Sequence, residues 1–184
     1  MRTAAWVVFT VLAGPAFGAA TGRVVGPDGA AVSGAEVCEF VTGAPEHCVA
    51  TDSNGAYRME KPSRALLLVR ANGFVPKTID AAPLDAPVEL RRAAVLRVTV
   101  VDAVTGKPLS SGRVMLDAPS GRRIGDFVPF NASGVRISTL DPGVVFVRAE
   151  ASGYEPGGPL PIDLVGGAER SVKIQMIKSV GSPR

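Results

Sequence analysis

The sequence has few of the side chains on which enzyme active sites depend. It contains one histidine and two cysteines among 184 residues. A hydrolytic triad needs a histidine between a carboxylate and a nucleophile, and a zinc site needs several His, Cys or carboxylate ligands. His47 is adjacent to Cys48, and no Gly-x-Ser-x-Gly, His-Glu-x-x-His or glycine-rich phosphate motif is present. We therefore predict that the protein is not an enzyme and holds no metal or cofactor.

Strong charge of one sign is also lacking. The chain has 20 Lys+Arg against 17 Asp+Glu, and only 5% of its residues are aromatic. Residues 21–92 carry 8 basic and 9 acidic side chains, a net charge of −1, and residues 93–184 carry 11 and 8, a net charge of +3. A nucleic-acid-binding surface would show a basic stripe with interleaved aromatics, so we predict no nucleic-acid partner.

Long hydrophobic runs are absent after the first twenty residues. Residues 6–12 are apolar, follow a positive start at Arg2, and precede a Gly14-Pro15 break and a small-residue stretch. This layout predicts a signal peptide over residues 1–20, with cleavage after Gly18 or Ala20. The Gly-Pro break disfavours the alternative of a buried N-terminal helix. No later run reaches the roughly 20 residues of a spanning helix, so we expect an exported periplasmic or extracellular protein without a transmembrane segment in its mature chain.

Three turn motifs occur twice, in the same order and at offsets near 80 residues. Such a repeat predicts duplicated domains, which we place at 21–92 and 93–179, followed by a C-terminal tail at 180–184. The paired motifs are Pro27-Asp28-Gly29 with Thr105-Gly106-Lys107-Pro108, Ser53-Asn54-Gly55 with Ala132-Ser133-Gly134, and Ala71-Asn72-Gly73-Phe74 with Ala151-Ser152-Gly153-Tyr154.

The hydrophobic pattern of both halves has a period of two residues. Leu96, Val98 and Val100 alternate with polar residues, as in a strand with one buried face. The uninterrupted runs 66–69 and 144–147 predict central strands that are buried on both faces. Turn residues recur every eight to twelve positions or so. The predicted fold is therefore all-β, with two tandem small β-sandwiches of about seven strands each.

The two cysteines lie at equal distances from Gly43. A hairpin that turns at Gly43 would place Cys38 opposite Cys48, and a hydrogen-bonded antiparallel pair has a Cα separation of about 5.5 Å, within reach of a disulfide. In an exported chain with two cysteines, we predict a Cys38–Cys48 disulfide. The alternative is a metal-binding or redox pair, but the spacing does not match Cys-x-x-Cys.

Two of the repeated turns have predicted structural roles. Asp52 and Asn54 can bond local backbone groups while Gly55 supplies a positive φ. A calcium site would need six to eight oxygen ligands, and few are nearby. The aromatic residues Phe74 and Tyr154 are expected to cap the two cores.

Residues 21–92 resemble carboxypeptidase regulatory-like domains. The motifs that carry the resemblance are Gly22-Arg23-Val24-Val25, Pro27-Asp28-Gly29 with residues 32–37, residues 51–57, and Ala71-Asn72-Gly73-Phe74. The resemblance implies a transthyretin-like, carbohydrate-binding-like β-sandwich that serves as an accessory module and does no chemistry. The second half matches more loosely, so another seven-stranded sandwich of similar shape is the alternative there.

A binding patch is predicted at Arg122, Arg123, Phe127 and Phe130. These residues combine two cations with two aromatics that flank Pro129. The competing interpretation is that the two aromatics face the core at a strand end. We expect a protein or cell-envelope partner. A carbohydrate is the alternative ligand, although the mature chain lacks tryptophan for sugar stacking.

Overall fold

The computed structural model of the protein describes residues 18–39 and 47–179. Most of the predicted signal peptide lies outside the described residues, as do the predicted turn at Gly43 and the predicted tail 180–184. Ala20, at the predicted end of the leader, is the first residue of a strand and is fully buried. The described part of the chain contains no helix that could cross a membrane.

The first half forms a sandwich of two sheets. One sheet has the order β4-β1-β7 and the other the order β3-β2-β5-β6. Neighbouring strands are antiparallel except β1 and β7, which are parallel. The strands are β1 (Ala20–Val25), β2 (Glu36–Glu39), β3 (Cys48–Ala50), β4 (Ala56–Met59), β5 (Leu66–Arg70), β6 (Lys77–Asp80) and β7 (Val88–Glu89).

The second half repeats this topology strand for strand. Its sheets have the orders β11-β8-β14 and β10-β9-β12-β13, and β14 is again parallel to β8. Two seven-stranded sandwiches of the same strand order confirm the predicted fold class. The strands are β8 (Ala94–Asp102), β9 (Ser111–Asp117), β10 (Val128–Asn131), β11 (Val135–Leu140), β12 (Gly143–Glu150), β13 (Gly157–Leu164) and β14 (Glu169–Met176).

Each sandwich has its own hydrophobic core. The first core draws buried residues from Ala20 to Leu90, and the second draws them from Ala94 to Met176. Leu96, Val98 and Val100 all lie in the second core, as their alternation predicts. Phe74 and Tyr154 pack against the first and the second core, which confirms their role as caps.

The prediction that 66–69 and 144–147 are buried on both faces is wrong. Leu67 and Val69 are fully buried, but Leu66 is 50% exposed, and Val144 is 45% exposed beside the buried Val145. Each sheet packs against its partner sheet on one side only, so every second residue of these strands lies on the outer face. The two runs therefore place apolar side chains on the surface.

The predicted disulfide between Cys38 and Cys48 is confirmed. The two residues are direct partners of β2 and β3, with a Cα separation of 4.0 Å. The expected hydrogen-bonded pairing is wrong, because the N–H of Glu39 donates to the carbonyl of His47 at 2.9 Å. The cysteines thus occupy the adjacent non-hydrogen-bonded position, where strands approach more closely.

The turn between β3 and β4 has the predicted local bonding. The backbone N–H groups of Asn54 and Ala56 donate to Oδ1 of Asp52 at 2.8 and 2.9 Å. Gly55 has a φ of +75°, and a Cβ there would lie 2.3 Å from the carbonyl oxygen of Val24. Close approach of the backbone and a positive φ both require glycine at this turn.

The short connection between the sandwiches is bonded on both sides. The N–H of Ala93 donates to the carbonyl of Gly73 in the first unit, and the carbonyl of Ala93 accepts from Gly167 in the second, both at 2.8 Å. Arg91 forms an ion pair with Asp141 at 2.5 Å. These contacts tie the connection to both units.

Candidate functional site

The four residues of the predicted patch lie on different surfaces. Phe127 directly precedes β10, and Phe130 lies within that strand. Side chains alternate between the two faces of a strand, so residues three positions apart face opposite sides. Phe127 is 42% exposed on the outer face, whereas Phe130 is 5% exposed in the second core. The strand period thus separates the two aromatics.

Phe130 fills space that a glycine leaves open. Its partner across the sheet is Gly112, and a Cβ at Gly112 would lie 2.4 Å from Cζ of Phe130. In the first unit the same pair of positions holds Ala35 and Thr51. The Thr51 hydroxyl accepts from the N–H of Ala35 at 2.8 Å. Phe130 is therefore a core residue and takes no part in a surface site.

Arg122 is separated from Arg123 because adjacent residues of an extended segment point in opposite directions. Arg122 lines a crevice of about 210 Å³ with Ala118, Ile124 and Leu140. Arg123 lies on the outer face near Phe127. Of the predicted patch, the structure brings together only Arg123 and Phe127.

The structure adds a residue that sequence reasoning missed. The guanidinium carbons of Arg113 and Arg123 each lie 4.3 Å from the centre of the Phe127 ring. Cation–π contacts of this length are favourable and hold the ring in place. We call Arg113, Arg123 and Phe127 the Arg–Phe cluster. Every second residue of 113–116 is apolar and faces the core, and this alternation could have predicted Arg113 on the outer face.

The two arginines of the Arg–Phe cluster differ in their charge partners. Arg113 pairs with Glu150, its cross-strand neighbour, at 2.6 Å. Arg123 contacts Sδ of Met115 at 3.9 Å and has no carboxylate partner in the described part of the chain. Its cross-strand neighbour Asp117 is paired with Arg148, so among the described residues Arg123 presents a guanidinium group without an ion-pair partner beside an exposed aromatic ring.

The first unit carries a different surface on its equivalent sheet. Leu66 and Leu68 lie on the outer side of β5 and line a groove of about 450 Å³. We call it the leucine groove; the described residues that line it are Arg64, Ala65, Leu66, Leu68 and Thr78. Asp80 is the cross-strand partner of Leu66 at one side of the groove, and it has no cation partner among the described residues.

Near the lone histidine, three residues carry the functional groups of a triad but not its geometry. The hydroxyl and the N–H of Ser63 both donate to the Glu39 carboxylate at 2.6 Å, and His47 Nδ1 lies 3.9 Å from the same carboxylate. Burial acts to raise the pKa of Glu39, but the Ser63 bonds and the nearby His47 leave that pKa below its ordinary value. The serine contacts the carboxylate instead of the imidazole, so the base that a nucleophile needs is misplaced.

A second perturbed carboxylate, Asp102, is the last residue of β8. The pKa of Asp102 is lowered to about 2, chiefly because the N–H of Thr105 donates to it and also because the Tyr154 hydroxyl donates to Oδ2 at 2.9 Å. The Tyr154 pKa is raised by burial and by its bond to Asp102. The hydrogen bond between Tyr154 and Asp102 thus joins the aromatic residue that caps the second core to the end of β8. Within residues 18–39 and 47–179, no group of three His, Cys, Asp or Glu side chains could hold a metal ion.

Comparisons with known proteins leave the family open. No protein-family model matches the chain, and no curated protein matches it. The resemblance of residues 21–92 to carboxypeptidase regulatory-like domains therefore remains a prediction.

Several solved structures have a distant likeness to the chain. The Bacillus anthracis TIE protein is 14% identical over 89% of this chain, which spans 34% of that protein, with a TM-score of 0.43. The minor pilin GBS52 of Streptococcus agalactiae is 16% identical over 85% of this chain and 87% of its own, with a TM-score of 0.42. The shaft pilin SpaA of Lactobacillus rhamnosus GG is 11% identical over 90% of this chain and 99% of its own, with a TM-score of 0.43.

Proposed function

We propose that this protein is an exported binding protein that does no catalysis and docks through the Arg–Phe cluster to a protein surface that presents a carboxylate. The observation that carries the proposal is the position of Phe127, half-exposed under the guanidinium groups of Arg113 and Arg123. Aromatic residues and arginine are the residue types most enriched at the centres of protein interfaces.

The charge of the cluster favours a partner that presents a carboxylate. Arg123 has no carboxylate partner in the described residues, so a partner carboxylate can pair with it without displacing an existing ion pair. The second half of the chain is also the more basic half. Electrostatic complementarity of this kind speeds association and selects partners.

Export and the lack of catalysis rest on sequence. The predicted leader supplies export. The resemblance of residues 21–92 to carboxypeptidase regulatory-like domains implies an accessory role. The misplaced Ser63 hydroxyl, bonded to Glu39 instead of His47, agrees with that role.

Site-specific photo-crosslinking tests the proposal. A benzoyl-phenylalanine at position 127 keeps an aromatic ring in the cluster, and the same probe at the 89% exposed Val104 serves as a control for general exposure. In cells that export the protein, we expect a discrete protein adduct from position 127, its loss in R123E, and none from position 104. Equal crosslinking yields from positions 127 and 104 would overturn the proposal, as would an adduct from position 127 that persists unchanged in R123E.

A carbohydrate ligand of the Arg–Phe cluster would give a different result from a protein partner. Sugar recognition uses a bare aromatic face, and the Phe127 ring is engaged by two guanidinium groups. In a polysaccharide pull-down, the recovery of the wild-type protein should therefore be no greater than that of the F127A variant. A signal that disappears in F127A, together with no protein adduct at position 127, would assign the face to sugar binding instead.

A further inference from the structure

We infer that the partner of the Arg–Phe cluster is a second copy of this chain, which receives Phe127 in its leucine groove. The inference rests on the proposed function, because it names the partner of the same site. The evidence for it is that the exposed Phe127 ring lies on the four-stranded sheet of the second unit, whereas the leucine groove lies on the equivalent sheet of the first unit.

The projecting ring and the groove lie on different units. In the first unit, Cys48 occupies the position of Phe127, so the equivalent position of that sheet carries no aromatic ring. In the second unit, Phe146 and Arg148 occupy the positions of Leu66 and Leu68, so that sheet lacks the leucine groove. Contact between two first units or between two second units would leave the ring or the groove without its complement.

The exposed apolar area favours burial of both features. Leu66 is 50% exposed at the start of β5, and Phe127 is 42% exposed directly before β10. The groove has a volume of about 450 Å³ and opens beside β6, which among the described strands pairs only with β5 and forms an edge of the sheet. Burial of an aromatic anchor in an apolar depression is the usual centre of a protein interface.

Charge complementarity points to the same occupant. Asp80 lies across from Leu66 at the side of the groove, and Arg123 lies over the ring that would enter it. In the described part of one copy, Asp80 lacks a cation and Arg123 lacks a carboxylate. Arg64 also lines the groove, so the contact is favourable where Arg123 approaches the side that carries Asp80. There a second copy can join these two charges, which a neutral partner cannot.

The contact is heterologous, because it joins the first unit of one copy to the second unit of the next. A heterologous contact repeats in ring or chain form, depending on the rotation between copies. We therefore expect the protein to associate beyond the dimer as its concentration rises.

Sedimentation equilibrium of the protein purified after export tests this inference. The weight-average mass should rise with concentration, and either F127A or L66E should hold the protein near its monomer mass. R123D and D80R should each weaken association at least tenfold, and the R123D/D80R double variant should recover most of the loss. V104E, a charge placed at an exposed apolar residue elsewhere, should leave association unchanged.

A mixing experiment identifies the arrangement. F127A keeps the groove and L66E keeps the ring, so an equimolar mixture should form one-to-one dimers that grow no further. The inference would be contradicted if the wild-type protein stays monomeric at every concentration, or if L66E does not weaken association. A crosslink from position 127 to a different protein alone would also contradict it, while the proposed function would stand.

Discussion

Phe127 in the second unit occupies the position that Cys48 holds in the first. Both residues lie on the outer face at the beginning of an edge strand of a four-stranded sheet, Cys48 as the first residue of β3 and Phe127 directly before β10. Cys48 is joined to Cys38, whereas Phe127 lies under the guanidinium groups of Arg113 and Arg123. One fold, repeated in one chain, thus carries a covalent crosslink at one copy of this position and an exposed aromatic ring at the other.

The two phenylalanines of the predicted patch should differ sharply in their effect on stability. F130A empties a buried site and should cost about 3–5 kcal/mol of the free energy of unfolding. F127A removes a half-exposed ring and its cation–π contacts, at a cost of about 1 kcal/mol or less. Urea denaturation of the two variants measures both values. Similar losses for the two would show that Phe127 is part of the core.

The disulfide should stabilise the first unit. The C38A/C48A variant should lose about 3 kcal/mol, because the crosslink restricts the unfolded chain across a short loop. Denaturation with and without a reductant, compared with the variant, measures the loss. The exported wild-type protein should show no reactive thiols. Two titratable thiols in the native protein, or a reductant that leaves its stability unchanged, would contradict this expectation.

The turn glycine Gly55 should tolerate no side chain. G55A places a Cβ 2.3 Å from the Val24 carbonyl oxygen at a φ of +75°, so the cost should exceed that of the strained dihedral alone. G29A is a matched control, because Gly29 has a φ of +73° and open space around it. We expect about 1–2 kcal/mol for G29A and clearly more for G55A in thermal unfolding. Equal costs would indicate that the turn shifts to make room.

The bond between Tyr154 and Asp102 should make stability depend on pH in acid. The pKa of Asp102 in the folded state is about 2, below its ordinary 3.8, so the folded state binds the proton more weakly than the unfolded chain. Its contribution is present above about pH 4 and is lost as pH falls through about 2. Y154F removes one donor to the carboxylate and should raise the Asp102 pKa. The stability gap between wild type and Y154F should therefore narrow between pH 4 and pH 2.

Tyr57 supplies the control for that measurement. Its hydroxyl is buried and makes no hydrogen bond within the described residues, and burial raises its pKa. Y57F should be neutral or slightly stabilising, since it removes a polar group that lacks a partner. Its stability difference from wild type should be flat between pH 4 and pH 2. If the stability difference between Y57F and wild type also narrows, the pH dependence of the Y154F difference cannot be assigned to Asp102.

Local patterns predicted much of the fold. The period of two predicted the faces of β8, and the repeated turns predicted two tandem sandwiches, which the structure shows to have the same strand order. The Asx turn at Asp52 and the disulfide could be predicted because both depend on residues close in sequence. Burial on both faces was predicted wrongly for the runs 66–69 and 144–147. An apolar run does not reveal whether a second layer covers its outer side.

The amino-acid sequence by itself determined the strands, the turns, the duplication and the pairing of Cys38 with Cys48, because these follow from local backbone preferences and side-chain period. Only the tertiary structure decided which exposed groups meet. Arg113 and Arg123 lie in different segments and converge on Phe127 because β9 pairs with β10. Side-chain alternation places Phe130 on the face opposite Phe127, and the same pairing places it against Gly112. Contacts between strands depend on register, which one strand's sequence does not encode.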